Sequence, residues 1–269
     1  IKSGEALERG RNLDVVMLDK TGTITQGKPE VTDVITPKGA LSFKKVSPLI
    51  RMLEEKSDHP LARAIVQYIE APKKPLSISN FSYITGKGVQ ATVDGKLVAN
   101  GNSALMKSQG IDLSTIENDL KKLQKQGKTV IMSSVDKEIV ALVAIADVIK
   151  PNAKQAVEGL KKLGLSVLMI TGDNKLTADA IALQVGIKQV EAEVLPDEKL
   201  AIVKKWQEQE KKVAFVGDGI NDAPALTQAD LGIAVGSGTD IAIEAGQIVL
   251  VGGGPEKILE AIFLSRATD

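Results

Sequence analysis

The chain has 269 residues, 43% of them hydrophobic and 3% aromatic, with 34 Lys+Arg balanced by 34 Asp+Glu, one His and no Cys. That length suits one large domain or two modest ones, and the apolar fraction is enough for a core. The balanced charge offers no footprint for nucleic acid, the lack of Cys excludes disulfides, thiolate nucleophiles and Cys-based metal sites, and no apolar run approaches the roughly 18 to 20 residues of a membrane-crossing helix.

In chain order, a helical pattern over residues 4–10 is followed by an apolar run at residues 13–18 that ends abruptly in Asp19-Lys20-Thr21-Gly22-Thr23. Short apolar runs bounded by Gly and Asp read as buried strands. From about residue 34 to 146 the pattern changes. Two helices are expected at residues 48–56 and 60–69, then a Pro/Lys-rich break at 71–75. Short alternating runs at 79–85, 88–93, 96–99, 130–135 and 139–144 predict antiparallel strands, with Asp94-Gly95 and Asp136-Lys137 as hairpin turns. Beyond residue 147 the first design returns. A helix at 152–163, stopped by Gly164, precedes a strand at 165–170 that runs into Thr171-Gly172-Asp173-Asn174. A helix at 196–206 precedes a strand at 213–216 that runs into Gly217-Asp218-Gly219, and a last strand at 231–235 runs into Gly236-Ser237-Gly238. Strand and helix in alternation predict an α/β domain with a parallel sheet, here discontinuous over residues 1–33 and 147–269, with an inserted α+β domain at 34–146.

In an open parallel sheet, functional groups gather past the carboxyl ends of the strands. Asp19, Thr171, Asp173, Asp218 and Asp222 fall there, after three different strands. Asp and Gly after any one strand are ordinary turn residues. Several carboxylates with hydroxyl and Gly neighbours, taken together, suit a hard cation such as Mg²⁺ bound beside a phosphate. Lys199, one turn into its helix, is placed to add a cation for phosphoryl oxygens.

Asp19-Lys20-Thr21-Gly22-Thr23-Ile24-Thr25, Thr171-Gly172-Asp173 and Gly217-Asp218-Gly219-Ile220-Asn221-Asp222-Ala223-Pro224 together resemble the signature set of P-type ATPases, ion pumps of the haloacid dehalogenase-like group. The resemblance implies that Asp19 is the nucleophile taking the γ-phosphoryl group of ATP, with Mg²⁺ held by Asp19, the Thr21 carbonyl and Asp218, and with Asp222 in the same metal site. It further implies Thr171, Lys199 and Asp173 as catalytic residues, and Thr21, Gly172 and Asn221 around the phosphoryl group. Soluble phosphatases of that group usually carry a second Asp two residues after the nucleophile. Thr21 stands there instead, so water attack on an acyl phosphate is expected to be slow.

Ser57-Asp58-His59-Pro60-Leu61-Ala62 resembles the Ser-Glu-His-Pro-Leu motif of the heavy-metal-transporting branch, with Asp58 in place of Glu. In that branch the inserted domain recognises adenine through this His, a Glu five residues earlier, a Gly-x-Gly pair and a later Asn, which implies His59, Glu54, Gly86, Gly88 and Asn102 here. A His before Pro60 is equally at home as a helix-entry residue. The resemblance covers essentially the whole chain and implies a fragment without its transmembrane, actuator and metal-binding segments: a monomeric cytoplasmic piece of a membrane protein that uses ATP and Mg²⁺. The transported heavy metal, Cu⁺ on overall likeness, with Zn²⁺ or Cd²⁺ as alternatives, would be bound elsewhere. A soluble phosphatase with a cap domain and a non-catalytic nucleotide-binding module are the rival readings.

Overall fold

A computed structural model describes residues 4–218, 222–236, 244–252 and 254–267. By compactness the chain forms two units, Ile1–Lys28 with Asp147–Asp269, and Pro29–Ala146. The first changeover falls a few residues before the point where the composition shifts.

The first unit is built on a six-stranded sheet in the order β12-β11-β10-β1-β8-β9, comprising β1 (Val15–Asp19), β8 (Ser166–Ile170), β9 (Gln189–Glu191), β10 (Val213–Gly217), β11 (Leu231–Gly236) and β12 (Ile248–Val251). Every neighbouring pair is parallel. The apolar runs are continuous because both faces of the sheet are covered. Val16, Leu18, Val167, Met169, Ala214 and Val216 face one way, against Val157 and Leu160 of α6 (Ala153–Lys162), Ile181 and Val185 of α7 (Lys175–Val185) and Ile258 and Ile262 of α10 (Glu256–Ala267). Val15, Met17, Leu168, Ile170 and Phe215 face the other way, against Val203 of α8 (Glu198–Gln207) and Leu226 of α9 (Ala223–Gln228). Burying each such side chain fully is worth about 1.5–3 kcal/mol.

The second unit holds a six-stranded sheet in the order β2-β7-β6-β5-β4-β3, from β2 (Thr25–Ile35), β3 (Ile78–Ile84), β4 (Gly88–Val93), β5 (Lys96–Gly101), β6 (Thr129–Val135) and β7 (Glu138–Ile149). The pairs from β3 through β7 are antiparallel. Both hairpin turns take the left-handed backbone that a two-residue connection demands: Asp94 and Gly95 at φ 48° and 79°, Asp136 and Lys137 at 50° and 69°. One face of the sheet packs on Val46, Ile50 and Leu53 of α2 (Phe43–Glu54) and Ile65 of α3 (Pro60–Tyr68). The other packs on Leu105 and Met106 of α4 (Ser103–Ser108) and Leu120 and Leu123 of α5 (Glu117–Lys125).

The helix expected from residue 48 starts at Phe43, with Pro48 inside it. Pro48 leaves the Lys44 carbonyl without its helical N–H donor, and the Ser47 hydroxyl donates to that carbonyl at 3.5 Å.

Candidate functional site

Strand register brings the acidic loops of the first unit together. Asp19 is level with Ile170, and Leu18 with Val216, so Thr171 and Asp218 leave their strands beside Asp19. This is also where the strand order reverses, β8 lying on one side of β1 and β10 on the other, and such switch points form ligand crevices. After Asp19 the chain makes an irregular turn through Ile24, with Thr21 extended and Gly22 at φ 76°. The returning chain clasps this turn. Lys150 Nζ donates to the Gly22 carbonyl, and the Lys150 amide donates to the Ile24 carbonyl at 2.9 Å. Asp147 accepts from the Thr25 hydroxyl at 2.6 Å and from the Gly27 and Lys28 amides at 3.0 and 3.1 Å.

Lys199, in the first turn of α8, donates from Nζ to Asp19 Oδ1 at 2.8 Å and to Asp222 Oδ1 at 2.6 Å, and all three residues are buried. The Asp218 amide donates to the other Asp222 oxygen at 3.2 Å. Position 217 must be glycine for this arrangement, since a Cβ there would lie 2.2 Å from Asp222 Oδ2. Burial first, then the neighbouring Asp222 and Asp218 charges, against the pull of Lys199, push the Asp19 carboxyl up to about 7. Burial opposes the Lys199 ammonium, but Asp19 and Asp222 outweigh it and hold it charged well above its ordinary range. One ammonium is therefore shared by two carboxylates, and the Asp218 charge is also felt at Asp19. Hard oxygen donors with surplus negative charge fit a divalent cation.

Both Asp222 oxygens already have protein partners, which suits Asp222 to holding Lys199 and the Asp218 backbone. Among the described residues, no group of three or more His, Cys, Asp or Glu converges to hold an ion unaided, so solvent or substrate oxygens would complete its shell. Thr171 is buried and accepts from the Asp173 amide at 3.1 Å, Gly172 is exposed, and the Asp173 carboxylate is 2.6 Å from Lys20 Nζ. Asn221 lies outside the described residues.

In the second unit, separate hydrogen bonds hold several of the other predicted residues. Glu54, the last residue of α2, is buried and accepts from Asn100 Nδ2 of β5 at 2.9 Å. Two residues on, Asn102 caps α4 by accepting from the Ala104 and Leu105 amides, and its Nδ2 donates to the Gly86 carbonyl at 2.8 Å. Gly88 pairs with Gly101 so closely that a Cβ on Gly88 would lie 2.2 Å from the Asn100 carbonyl oxygen. His59 caps α3, its Nδ1 accepting from the Leu61 amide at 3.2 Å, which makes Nε2 the protonated nitrogen of the neutral ring. Although His59 is exposed, partial desolvation by its neighbours and then the Arg63 charge hold it below its ordinary value, so the ring is neutral near pH 7.

Sequence reasoning left Asn100, Asp147 and Lys150 without a role and named Lys20 only as part of its motif. The first three have no local signal, since their partners lie 46, 122 and 128 positions away.

The chain belongs to the haloacid dehalogenase-like hydrolase family, whose model matches residues 13–230. It is 47% identical over its whole length to a protein described as the probable copper-transporting ATPase PacS of Synechococcus elongatus, of which it covers 36%. It is 45% identical over 99% of its length to a copper-exporting P-type ATPase of Staphylococcus aureus strain JH9, of which it covers 33%. The chain thus spans about a third of the length of these curated relatives. Among solved structures it is similar to the catalytic domain of the CPx-ATPase CopB-B, described for its conformational changes upon nucleotide binding, at TM-score 0.74 and 27% identity, covering 97% of this chain and 93% of that one. It is also similar to a zinc-transporting PIB-type ATPase in its E2.Pi state, at TM-score 0.66 and 33% identity, covering 99% of this chain and 43% of that one.

Proposed function

We propose that the chain is the ATP-binding, phosphoryl-accepting portion of a copper-exporting P-type ATPase, working on the cytoplasmic side of a membrane crossed by other segments of the same polypeptide. The observation that carries this reading is the buried Lys199 ammonium held between Asp19 and Asp222 at the switch point of the sheet, with Thr at position 21 in the turn after Asp19. Identity of 45–47% to copper-transporting relatives, against 33% to the zinc-transporting structure, favours Cu⁺ as the transported substrate.

In this reading the inserted unit holds the adenine of ATP. The buried Glu54 offers a carboxyl oxygen, the neutral His59 ring offers Nε2–H, and Gly86 and Gly88 let the backbone approach the nucleotide. An Asp19 carboxylate oxygen attacks the γ-phosphorus. The new bond joins that oxygen to phosphorus, the bond from the γ-phosphorus to the bridging oxygen breaks, and ADP leaves with the electron pair. Asp19 must be ionised to attack, and Lys199, fixed by Asp222, stabilises that form and then the transferring phosphoryl oxygens. Thr171 adds a hydroxyl to the same oxygens, and Lys20 is kept in place by Asp173. A Mg²⁺ ion held by Asp19, Asp218 and the Thr21 carbonyl would offset the triphosphate charge. With Thr21 two residues beyond Asp19, no carboxyl acid/base stands there to hasten hydrolysis, so the aspartyl-phosphate persists long enough to be coupled to transport.

The test is incubation with γ-labelled ATP and Mg²⁺, acid quench and treatment with hydroxylamine. The expected result is a hydroxylamine-labile label that Asp19→Asn abolishes. Label that survives in Asp19→Asn overturns the assignment.

A further inference from the structure

Strand β5 lies inside the six-stranded sheet of the second unit, between β4 and β6. Its side chains alternate, Val98 packing in the cluster with Leu53 and Ile65 of α2 and α3, and Ala99 in the opposite cluster with Leu105 of α4. By that alternation Asn100 shares the Val98 face, under α2, and is 1% exposed. A carboxamide thus occupies a position where an aliphatic side chain would be the default.

As a stabilising device the arrangement is poor. Asn100 Nδ2 donates to Glu54 Oε1 at 2.9 Å, but Asn100 Oδ1 has no partner among the described residues. Neither has the Ser133 hydroxyl, on the residue of β6 directly opposite Asn100 and fully buried. A half-satisfied buried polar network is worse for stability than a well-packed apolar one. What the pair does achieve is to fix a carboxyl group. Glu54 Oε1 is tied down, while Oε2 has no partner among the described residues and is not sealed from solvent.

We propose that Asn100 is a positioning residue for base selection, holding Glu54 so that its second oxygen accepts a hydrogen bond from a purine amino group at C6 and disfavours a carbonyl there. The inference rests on the reading that Glu54 belongs to the nucleotide site and adds the residue that aims it. A carboxylate oxygen only accepts hydrogen bonds, so it attracts an amino group and repels a carbonyl. The N–H of Asn100 also favours the charged, accepting form of Glu54 against burial. The ionisable side chains of the elements packed on α2 are Arg63 and Tyr68 of α3, Tyr83 of β3 and Lys96 of β5, and burial and Asn100 are the two influences on Glu54.

The experiment compares calorimetric affinities of this chain for ATP and for ITP, which carries a carbonyl at C6, at about pH 8.5, where a Glu54 carboxyl lifted to about 7 is ionised. The wild-type chain is expected to prefer ATP, and Asn100→Leu, which suits the apolar face, to lose about tenfold of that preference. Asn100→Thr, which retains a hydroxyl donor and suits a strand, guards against a leucine variant that does not fold and is expected to lose preference in the same direction. In a Glu54→Gln background, Asn100→Leu is expected to change the ratio no further, because Asn100 acts through Glu54. Equal losses of ATP and ITP affinity, or an unchanged ratio in both Asn100 variants, overturn the proposal. An unchanged ATP affinity in Glu54→Gln with Asn100 intact overturns instead the underlying placement of Glu54.

Discussion

The Lys199 ammonium, carried into the crevice by α8, lies 2.8 Å from Asp19 Oδ1, a carboxylate 180 residues earlier in the chain. The same nitrogen is 2.6 Å from Asp222, so one cation fixes the distance between two acids that would otherwise repel. Replacing Lys199 with Met therefore leaves two buried carboxylates facing each other. The expected cost is on the order of 3 kcal/mol at neutral pH, together with loss of phosphoenzyme. The double variant Lys199→Met/Asp222→Asn is expected to recover most of the stability and none of the activity. Urea denaturation of the three proteins checks this, and equal stabilities for wild type and Lys199→Met would refute it.

Asp19 itself is held in a strained charge state. Its folded value of about 7 lies above the ordinary 3.8, so the fold is favoured below that ordinary value and loses stability as pH rises through about 7. In a chelating buffer at pH 8, Asp19→Asn is expected to be more stable than wild type by roughly 2–4 kcal/mol. Millimolar Mg²⁺ should raise the melting temperature of the wild-type chain and leave that of Asp19→Asn nearly unchanged. A variant less stable than wild type in chelator would sink this account.

Glu54 gives the second unit its own pH signature. Burial, eased by the Asn100 hydrogen bond, lifts its carboxyl from 4.5 to about 7. Stability is retained below pH 4.5 and declines up to about pH 7, by on the order of 3 kcal/mol, before levelling off. The Glu54 side-chain carboxyl, followed by carbon NMR, is expected to titrate with a midpoint near 7. Glu54→Gln should remove that part of the pH dependence. An ordinary carboxylate midpoint would show that Glu54 is not desolvated as described.

On the proposed reading His59 carries two roles that substitution can separate. Its Nδ1 caps α3, and its Nε2–H is left for a ligand. His59→Asp keeps a capping oxygen, so helix stability should change by less than about 0.5 kcal/mol, whereas His59→Ala should lose about 1 kcal/mol. Both are expected to weaken ATP binding at least tenfold. If His59→Asp binds ATP as the wild type does, the ring serves the helix alone.

The parts of this molecule legible in its sequence are those encoded by neighbours. The runs at Val15–Asp19 and Val213–Gly217 read as strands because they are covered on both faces, and Asp94-Gly95 reads as a turn because its backbone demands it. The acidic set could be gathered from the rule that strand ends share one edge of the sheet. The start of α2 could not, since Pro48 reads as a first-turn residue unless Ser47 is known to serve the Lys44 carbonyl. Nor could the partners of Asn100, Asp147 and Lys150, because only the folded chain brings them together.

Asp147 clasps the turn after Asp19, and its bonds to the Gly27 and Lys28 amides also make it a splice point. The first unit's two segments meet at residues 28 and 147, where side chain and backbone are already joined. A hundred-odd residues can therefore enter or leave the gene at this place without breaking the sheet that carries Asp19. A chain in which Lys28 is linked directly to Asp147 should keep that sheet and its acidic crevice and, on the proposed reading, lose its selection of a nucleotide. On the proposed reading, substrate choice would then sit in a removable cassette within a phosphoryl-handling scaffold.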